Sequence, residues 1–464
     1  MSNPKDDKMT IPQEKITAWL EELMDFVRIP SISADPQHRN DMSKAAEWLI
    51  SRLRKQGAVN IENDLFEGIP MVTADLPCVV PGAPVILIYG HYDVQPTGDP
   101  EEWLSAPFDP QIRGRNIFGR GMTDMKGQIM ALFAALDLIL AEGELNINFK
   151  FLFEGAEEWK GSLVEGFIRE NKEKLACDLV LNVDAGMIMK DYPTITYGSR
   201  GMSAGYLRIT GPGKDLHCGE YGGVILNPVH ALCKAVAALH DEEGRVALPG
   251  FYENLTPPPP WESESMNSLP LDDDFFLREC KAPTLWGEPG YTSLERCWTR
   301  PILEVVDIQT GEMRPSISPT AEAFLIFRLV PGQSPEKIKK SLLKYLDECI
   351  PGAVNWELRD WGGFSASLSN PYSPAAAKMA GALEEIWKKP PVLARSGGSL
   401  PMARFIDEHL GVQTILTGFQ LPEDNMHASN EKLDIDNWIK GIAALRLFFR
   451  SLSAEDFLYP ENKE

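Results

Sequence analysis

Apolar and polar positions change their spacing several times along the chain, and each change marks an element. Residues 16–27 and 41–56 carry apolar side chains at helical intervals and predict two amphipathic helices. Residues 85–89 form an unbroken apolar run, the pattern of a parallel strand buried on both faces. Then follow a helix at 127–141, a strand at 148–153, a helix at 163–173 and a strand at 179–183. Strands alternating with helices predict a mostly parallel α/β sheet covered by helices.

The pattern changes after Gly198. "GMSAGYLRITG" alternates as a half-exposed antiparallel strand does, 228–241 is helical, and 255–265, with prolines at 257–260, reads as loop. "AEAFLIFRLVPGQ" predicts another strand and 334–349 the helix after it. From about Ala375 the first style returns, with a helix to Trp387, a loop "ARSGGSLP", a helix from Met402, a strand at 412–416 and a last helix to Leu452. The expected architecture is a discontinuous α/β domain, 1–198 and 381–464, interrupted by a smaller α+β domain, 199–380.

Composition narrows the partners. The 67 acidic residues exceed the 45 basic ones and give a net charge of −22, which disfavours nucleic acid and anionic membranes. The seven cysteines are scattered without CxxC spacing, which argues against a thiolate zinc finger and for a reducing compartment. "MSNPKDDKMTIPQEK" has no apolar leader segment and no run is long enough to span a bilayer, so a cytoplasmic location is expected.

The chemistry sits at strand ends. Ligands of open α/β sheets collect beyond the carboxyl ends of the strands. The first strand runs into "GHYD" with His91 and Asp93, the second into "FEGAEEWKGS" with Glu157 and Glu158, and the third into Asp184. The loop "GRGMTDMKG" adds Asp124 and "EDNMHASNE" adds His427. Singly these motifs are common: a lone HxD is a polar turn, a Glu pair a solvated face, and Asp124 or Thr123 a helix cap. Together, five carboxylates and two imidazoles in one cleft repel unless cations balance them. Two divalent cations supply that balance, with Asp124, Glu158 and Asp184 as anionic ligands. Imidazole and carboxylate without thiolate suit zinc, with manganese or cobalt as substitutes.

"GHYDVQP", "GRGMTDMKG", "FEGAEEWKGS", "NVDAG", "DLHCG" and "MHASNEKL" resemble the co-catalytic zinc exopeptidase family of carnosinase-type dipeptidases, aminoacylase, succinyl-diaminopimelate desuccinylase and glutamate carboxypeptidase. "FRLVPGQ" and "RSGGSLP" are most similar to its carnosinase-like dipeptidase branch. The resemblance implies that His91 and Asp184 hold one metal, Glu158 and His427 the other, and that Asp124 bridges them. It implies that Asp93 buttresses His91, that Glu157 is the general base, and that the peptide after Asp124 is cis. It makes the α/β domain a catalytic domain and the α+β domain a lid or dimerisation domain. It further implies that His217 reaches the active site of a second subunit in a homodimer. Arg328 and the loop of Ser396, Gly397, Gly398 and Ser399 would then bind a substrate carboxylate. The branch places a further imidazole near the substrate, and the corresponding "SLSNPYSP" has none, which argues against carnosine-like specificity. The implied activity is hydrolysis of the amide bond of dipeptides or small peptides with a free C-terminal carboxylate. The alternatives are an amidohydrolase for N-acyl amino acids and a noncatalytic protein that keeps the fold.

Overall fold

The computed structural model describes residues 11–143, 145–312, 314–398 and 400–457. Ser399 and the first ten residues, on which most of the leader reading falls, lie outside the described residues. The chain forms two compact units, one of Met1–Tyr197, Ser369–Ala394 and Phe405–Glu464, the other of Gly198–Leu368 and Arg395–Arg404.

In the first unit the strands of the large sheet follow the order Val59–Phe66, Ile69–Leu76, Asn148–Glu154, Val85–His91, Leu179–Asn182, Thr414–Thr417, Thr194–Ser199. The four in the middle, from Asn148–Glu154 to Thr414–Thr417, are mutually parallel, and the flanking pairs are antiparallel. The sheet is thus parallel where the candidate chemistry lies. The parallel core is apolar for the reason read from sequence. Ile86, Ile88, Val180 and Leu181 are fully buried because helices cover both faces.

The helix Gly127–Glu142 has no polar stripe until its last turns, and every residue from Gly127 to Leu136 is buried. It packs against the helix Ile435–Ser451. Its start is sterically tight: a Cβ at Gly127 would stand 2.2 Å from the Met122 carbonyl oxygen, so only glycine fits. The helix Gln13–Val27 turns a single stripe of Trp19, Leu23, Phe26 and Val27 inward, and Phe26 stacks on Trp48 of Arg39–Lys55 with ring centroids 4.1 Å apart.

The second unit is built on an antiparallel sheet in the order Ile302–Thr310, Thr320–Leu329, Gly201–Thr210, Asn355–Phe364. Along Thr320–Leu329 buried and half-buried residues alternate strictly. Ala321, Ala323, Leu325, Phe327 and Leu329 enter a core shared with Leu232 and Leu342 of the helices Pro228–Ala237 and Pro335–Cys349. Arg328 falls on the opposite, half-buried side of the strand.

Several elements differ from expectation. The stretch read as loop at 255–265 contains the helix Pro260–Asn267, because Pro260 opens a helix at its first turn without losing a hydrogen bond. Its Glu262 is buried against Arg395. "ARSGGSLP", read as loop, begins inside the strand Val392–Ser396, which takes in Ala394, Arg395 and Ser396, and the helix Pro374–Trp387 lies wholly in the first unit, ahead of the expected return at 381. The helix expected at 163–173 begins six residues earlier, at Glu157. The two glutamates therefore occupy the first turn of a helix that kinks at Lys160. Neighbours on a helix do not share a face, so the two carboxylates diverge. Trp159, in the same first turn, is 54% exposed.

Candidate metal centre

Each of the four parallel strands delivers chemistry at its carboxyl end. Val85–His91 ends in His91, Asn148–Glu154 leads into Glu157 and Glu158, Leu179–Asn182 into Asp184, and Thr414–Thr417 into the segment with His427. Asp124 stands in the turn before Gly127–Glu142, and the Asp124–Met125 peptide is cis, as the resemblance implied.

Five of these side chains form two donor triads: His91, Asp124 and Asp184, and Asp124, Glu158 and His427. Within each, the ligand atoms lie no more than 4.8 Å apart. Asp124 is common to both and divides its oxygens. Its Oδ1 lies 3.1 Å from His91 Nε2 and its Oδ2 2.9 Å from His427 Nε2. Asp184 Oδ2 is 3.6 Å from His91 Nε2, and Glu158 Oε2 is 3.2 Å from His427 Nε2. Glu157 belongs to neither triad.

The supporting contacts fix these donors. The fully buried Asp93 offers its backbone carbonyl to His91 Nδ1 at 3.1 Å. A carbonyl only accepts, so Nδ1 carries the hydrogen and Nε2 faces Asp124 and Asp184. Asp93 Oδ1 stands 3.4 Å from the same nitrogen and has no other partner. Its Oδ2 accepts from Ser33 Oγ at 2.6 Å and from the Glu158 backbone N–H at 3.1 Å. Asn182 Oδ1 accepts the Asp184 N–H at 2.8 Å, and Gln95 Nε2 donates to Glu158 Oε2 at 2.9 Å.

Glu431 escaped the sequence reading, although it lies inside the quoted "MHASNEKL". It is 1% exposed, and four donors converge on it. Oε1 accepts from the backbone of Thr123 at 2.9 Å and of Asp124 at 3.1 Å; Oε2 accepts from the backbone of Gly121 at 2.9 Å and from Arg120 Nη1 at 2.8 Å. One motif thus clamps the other and sets the backbone of Asp124. The buried Asp424 anchors the start of the same segment through the Leu421 N–H, Lys432 Nζ and Thr123 Oγ1. Between these anchors His427 adopts φ 62°, a left-handed conformation uncommon for a non-glycine residue.

Electrostatics test whether cations fit. Burial raises the proton affinity of Glu157, and Asp184, Glu158 and Asp124 add to this against the opposing pull of His91. Burial likewise raises Glu158 against its hydrogen bond with His427. Burial alone would lower the His91 imidazole, but Asp184 and the hydrogen bonds to Asp124, Asp184 and Asp93 carry it well above its ordinary value. His427 is pushed up to about 10 by its hydrogen bonds to Asp124 and Glu158. The cluster gathers protons where nothing else neutralises it, and no lysine or arginine among the described residues forms an ion pair with these five donors. Hard or borderline divalent cations fit this oxygen and imidazole set.

The other expected residues, His217, Arg328 and the glycine loop, lie in the second unit. His217 is exposed, in a two-residue strand paired with Ser316–Ile317, and its Nδ1 accepts the Gly219 N–H at 3.2 Å. Arg328 is half-buried, and burial lowers its pKa. In the glycine loop the Gly398 N–H is already donated to Ser396 Oγ at 3.1 Å, and the Gly397 carbonyl accepts from Arg200 Nε at 2.7 Å.

A parallel sheet whose strand ends converge on two linked donor triads defines a metallohydrolase-type centre. A profile of peptidase family M20/M25/M40 matches residues 87–451, and the chain belongs to that family of peptidases. It is 28% identical over 460 residues to the Cys-Gly metallodipeptidase DUG1 of Candida albicans, covering 92% of this chain and 93% of that protein. It is 25% identical over 400 residues to the human Beta-Ala-His dipeptidase, covering 83% and 78% of the two chains. Among solved structures it is similar to the M20 family metallo-carboxypeptidase Sso-CP2 from Sulfolobus solfataricus. That likeness has a TM-score of 0.83 and 29% identity over 93% of this chain and 98% of the other. These relatives include the dipeptidase branch that the sequence motifs resemble.

Proposed function

We propose that the chain is a two-cation dipeptidase that hydrolyses the amide bond of dipeptides or small peptides with a free C-terminal carboxylate. The observation that carries this reading is the pair of donor triads joined at Asp124 beside an acid, Glu157, that neither triad uses. His91, Asp124 and Asp184 would hold one cation and Asp124, Glu158 and His427 the other, with zinc, manganese or cobalt suited to both. When bound, such cations acidify water and polarise a carbonyl.

The remaining work falls to the chain's own residues. Glu157 takes the proton of the attacking water on its carboxylate and hands it to the leaving nitrogen as the amide C–N bond breaks. Its raised proton affinity suits a group that must accept and then release. Asp93 holds the His91 ring in one tautomer and one orientation. Arg328 would present a planar donor pair to the substrate carboxylate, and the backbone of the loop at Ser396 and Gly397 would add further donors. His217, exposed on the second unit, supplies an imidazole to the scissile carbonyl in the site of a second copy.

Relatives named for Cys-Gly and Beta-Ala-His dipeptides support the dipeptide reading over the N-acyl one. The test is turnover of a dipeptide library beside N-acetyl and N-succinyl amino acids, with zinc or manganese supplied. Hydrolysis of dipeptides is expected, and activity confined to the acyl compounds would overturn the reading.

A further inference from the structure

The second unit contains a cavity of about 750 Å³ that none of this chemistry uses. That is the size of a small-molecule site. Tyr252, Phe276, Leu285 and Trp286 give it an apolar, largely aromatic wall, and Trp286 stands 76% exposed. Three arginines also line it. Arg300 is neutralised by Glu288, which accepts from its Nε and Nη2 at 2.8 Å each. Among the described residues neither Arg200 nor Arg296 forms an ion pair. Their side chains, among the described residues, donate to backbone carbonyls alone: Arg200 to Gly397 and Arg300, and Arg296 to Glu288. Glu304 and Asp241 share the wall, but neither comes within ion-pair distance of Arg200 or Arg296. Arg200 is only 7% exposed. A guanidinium so buried with no carboxylate at ion-pair distance is costly, and an anion seated against it removes the cost.

We propose that this cavity binds a small organic anion with an aromatic body, its charge on Arg200 and Arg296 and its ring against Trp286 and Phe276. The site bears on catalysis through one residue. Arg200 also holds the glycine loop, through its Nε on the Gly397 carbonyl and its backbone N–H on the Gly398 carbonyl at 3.3 Å. An anion that draws on Arg200 therefore changes the KM of peptides, an effect that rests on the function proposed above, whereas binding itself does not.

The experiment is isothermal titration calorimetry of the zinc-loaded protein with 2-naphthoate, compared with neutral 2-naphthalenemethanol. Saturable binding of naphthoate is expected, weaker by about tenfold or more for the alcohol and for Arg296→Gln, where one charge-assisted contact is lost. Trp286→Ala, a change at an exposed side chain that leaves the fold intact, should weaken it too. Arg328→Ala should not. Absence of saturable binding would overturn the proposal. So would equal affinity in wild type, Arg296→Gln and Trp286→Ala, or binding abolished by Arg328→Ala alone. None of these readouts requires peptide hydrolysis, so failure here is distinct from failure of the dipeptidase reading.

Discussion

Replacing Glu431 by glutamine changes no proposed ligand and no proposed catalytic group, yet it should damage the centre. The carboxylate satisfies three backbone N–H groups and the Arg120 guanidinium, all within 3.1 Å. The amide keeps one oxygen and turns an NH2 toward two of those donors. Orphaning a buried donor costs about 1–3 kcal/mol, and breaking a buried ion pair about 3–5 kcal/mol. The two terms overlap, so the expected loss is about 4 kcal/mol. At roughly 2–4 °C per kcal/mol for a unit of this size, the unfolding midpoint should fall by about 10 °C. The cation effect is separate. Outer contacts that orient ligands are worth about 10–100-fold in metal affinity, and Glu431 orients the backbone of the shared ligand. Scanning calorimetry of chelator-treated protein reads the first quantity, and zinc titration against a competing chelator reads the second. A midpoint within about 2 °C of wild type together with unchanged zinc affinity would refute the reasoning.

Three further outcomes are expected. Glu157→Gln should keep its cations and lose about 10²–10⁴-fold in kcat, and an unchanged kcat would remove it from the general-base role. His217→Ala should lower kcat at full cation content, and mixing it with an Asp124→Asn variant should restore activity in heterodimers; no recovery would mean that sites are not shared. Burial, then Asp93, pushes the Glu154 carboxyl up to about 8 from an ordinary 4.5. A raised acid pKa stabilises the fold fully below the unfolded value and loses that contribution as pH rises through the folded one. Chelator-treated wild type should therefore lose roughly 2–5 kcal/mol relative to Glu154→Gln between about pH 4.5 and 8, read by urea unfolding, and parallel pH profiles would contradict this.

Much of the fold was legible because its signals are local. The apolar run ending in His91 could only be a buried strand, and the position of Asp184 follows from the end of the strand before it. His91, Asp124, Glu158, Asp184 and His427 were legible as a group because like charges at successive strand ends need a common explanation. What escaped depends on contacts distant in sequence. Glu431 is held by four donors drawn from residues 120–124, about 310 positions away, so no local pattern announces it. The buried pair of Glu262 and Arg395 joins a presumed loop to a strand 133 residues away, so nothing nearby announced it.

The central claim is a pair of cations joined by Asp124, and elemental analysis of the protein equilibrated with zinc and then desalted tests it most directly. The account predicts about two zinc ions per chain in wild type, about one in Asp184→Ala and in His427→Ala, and almost none in Asp124→Ala. Wild-type protein that retains no zinc, or an Asp124→Ala variant that retains as much as wild type, would contradict it.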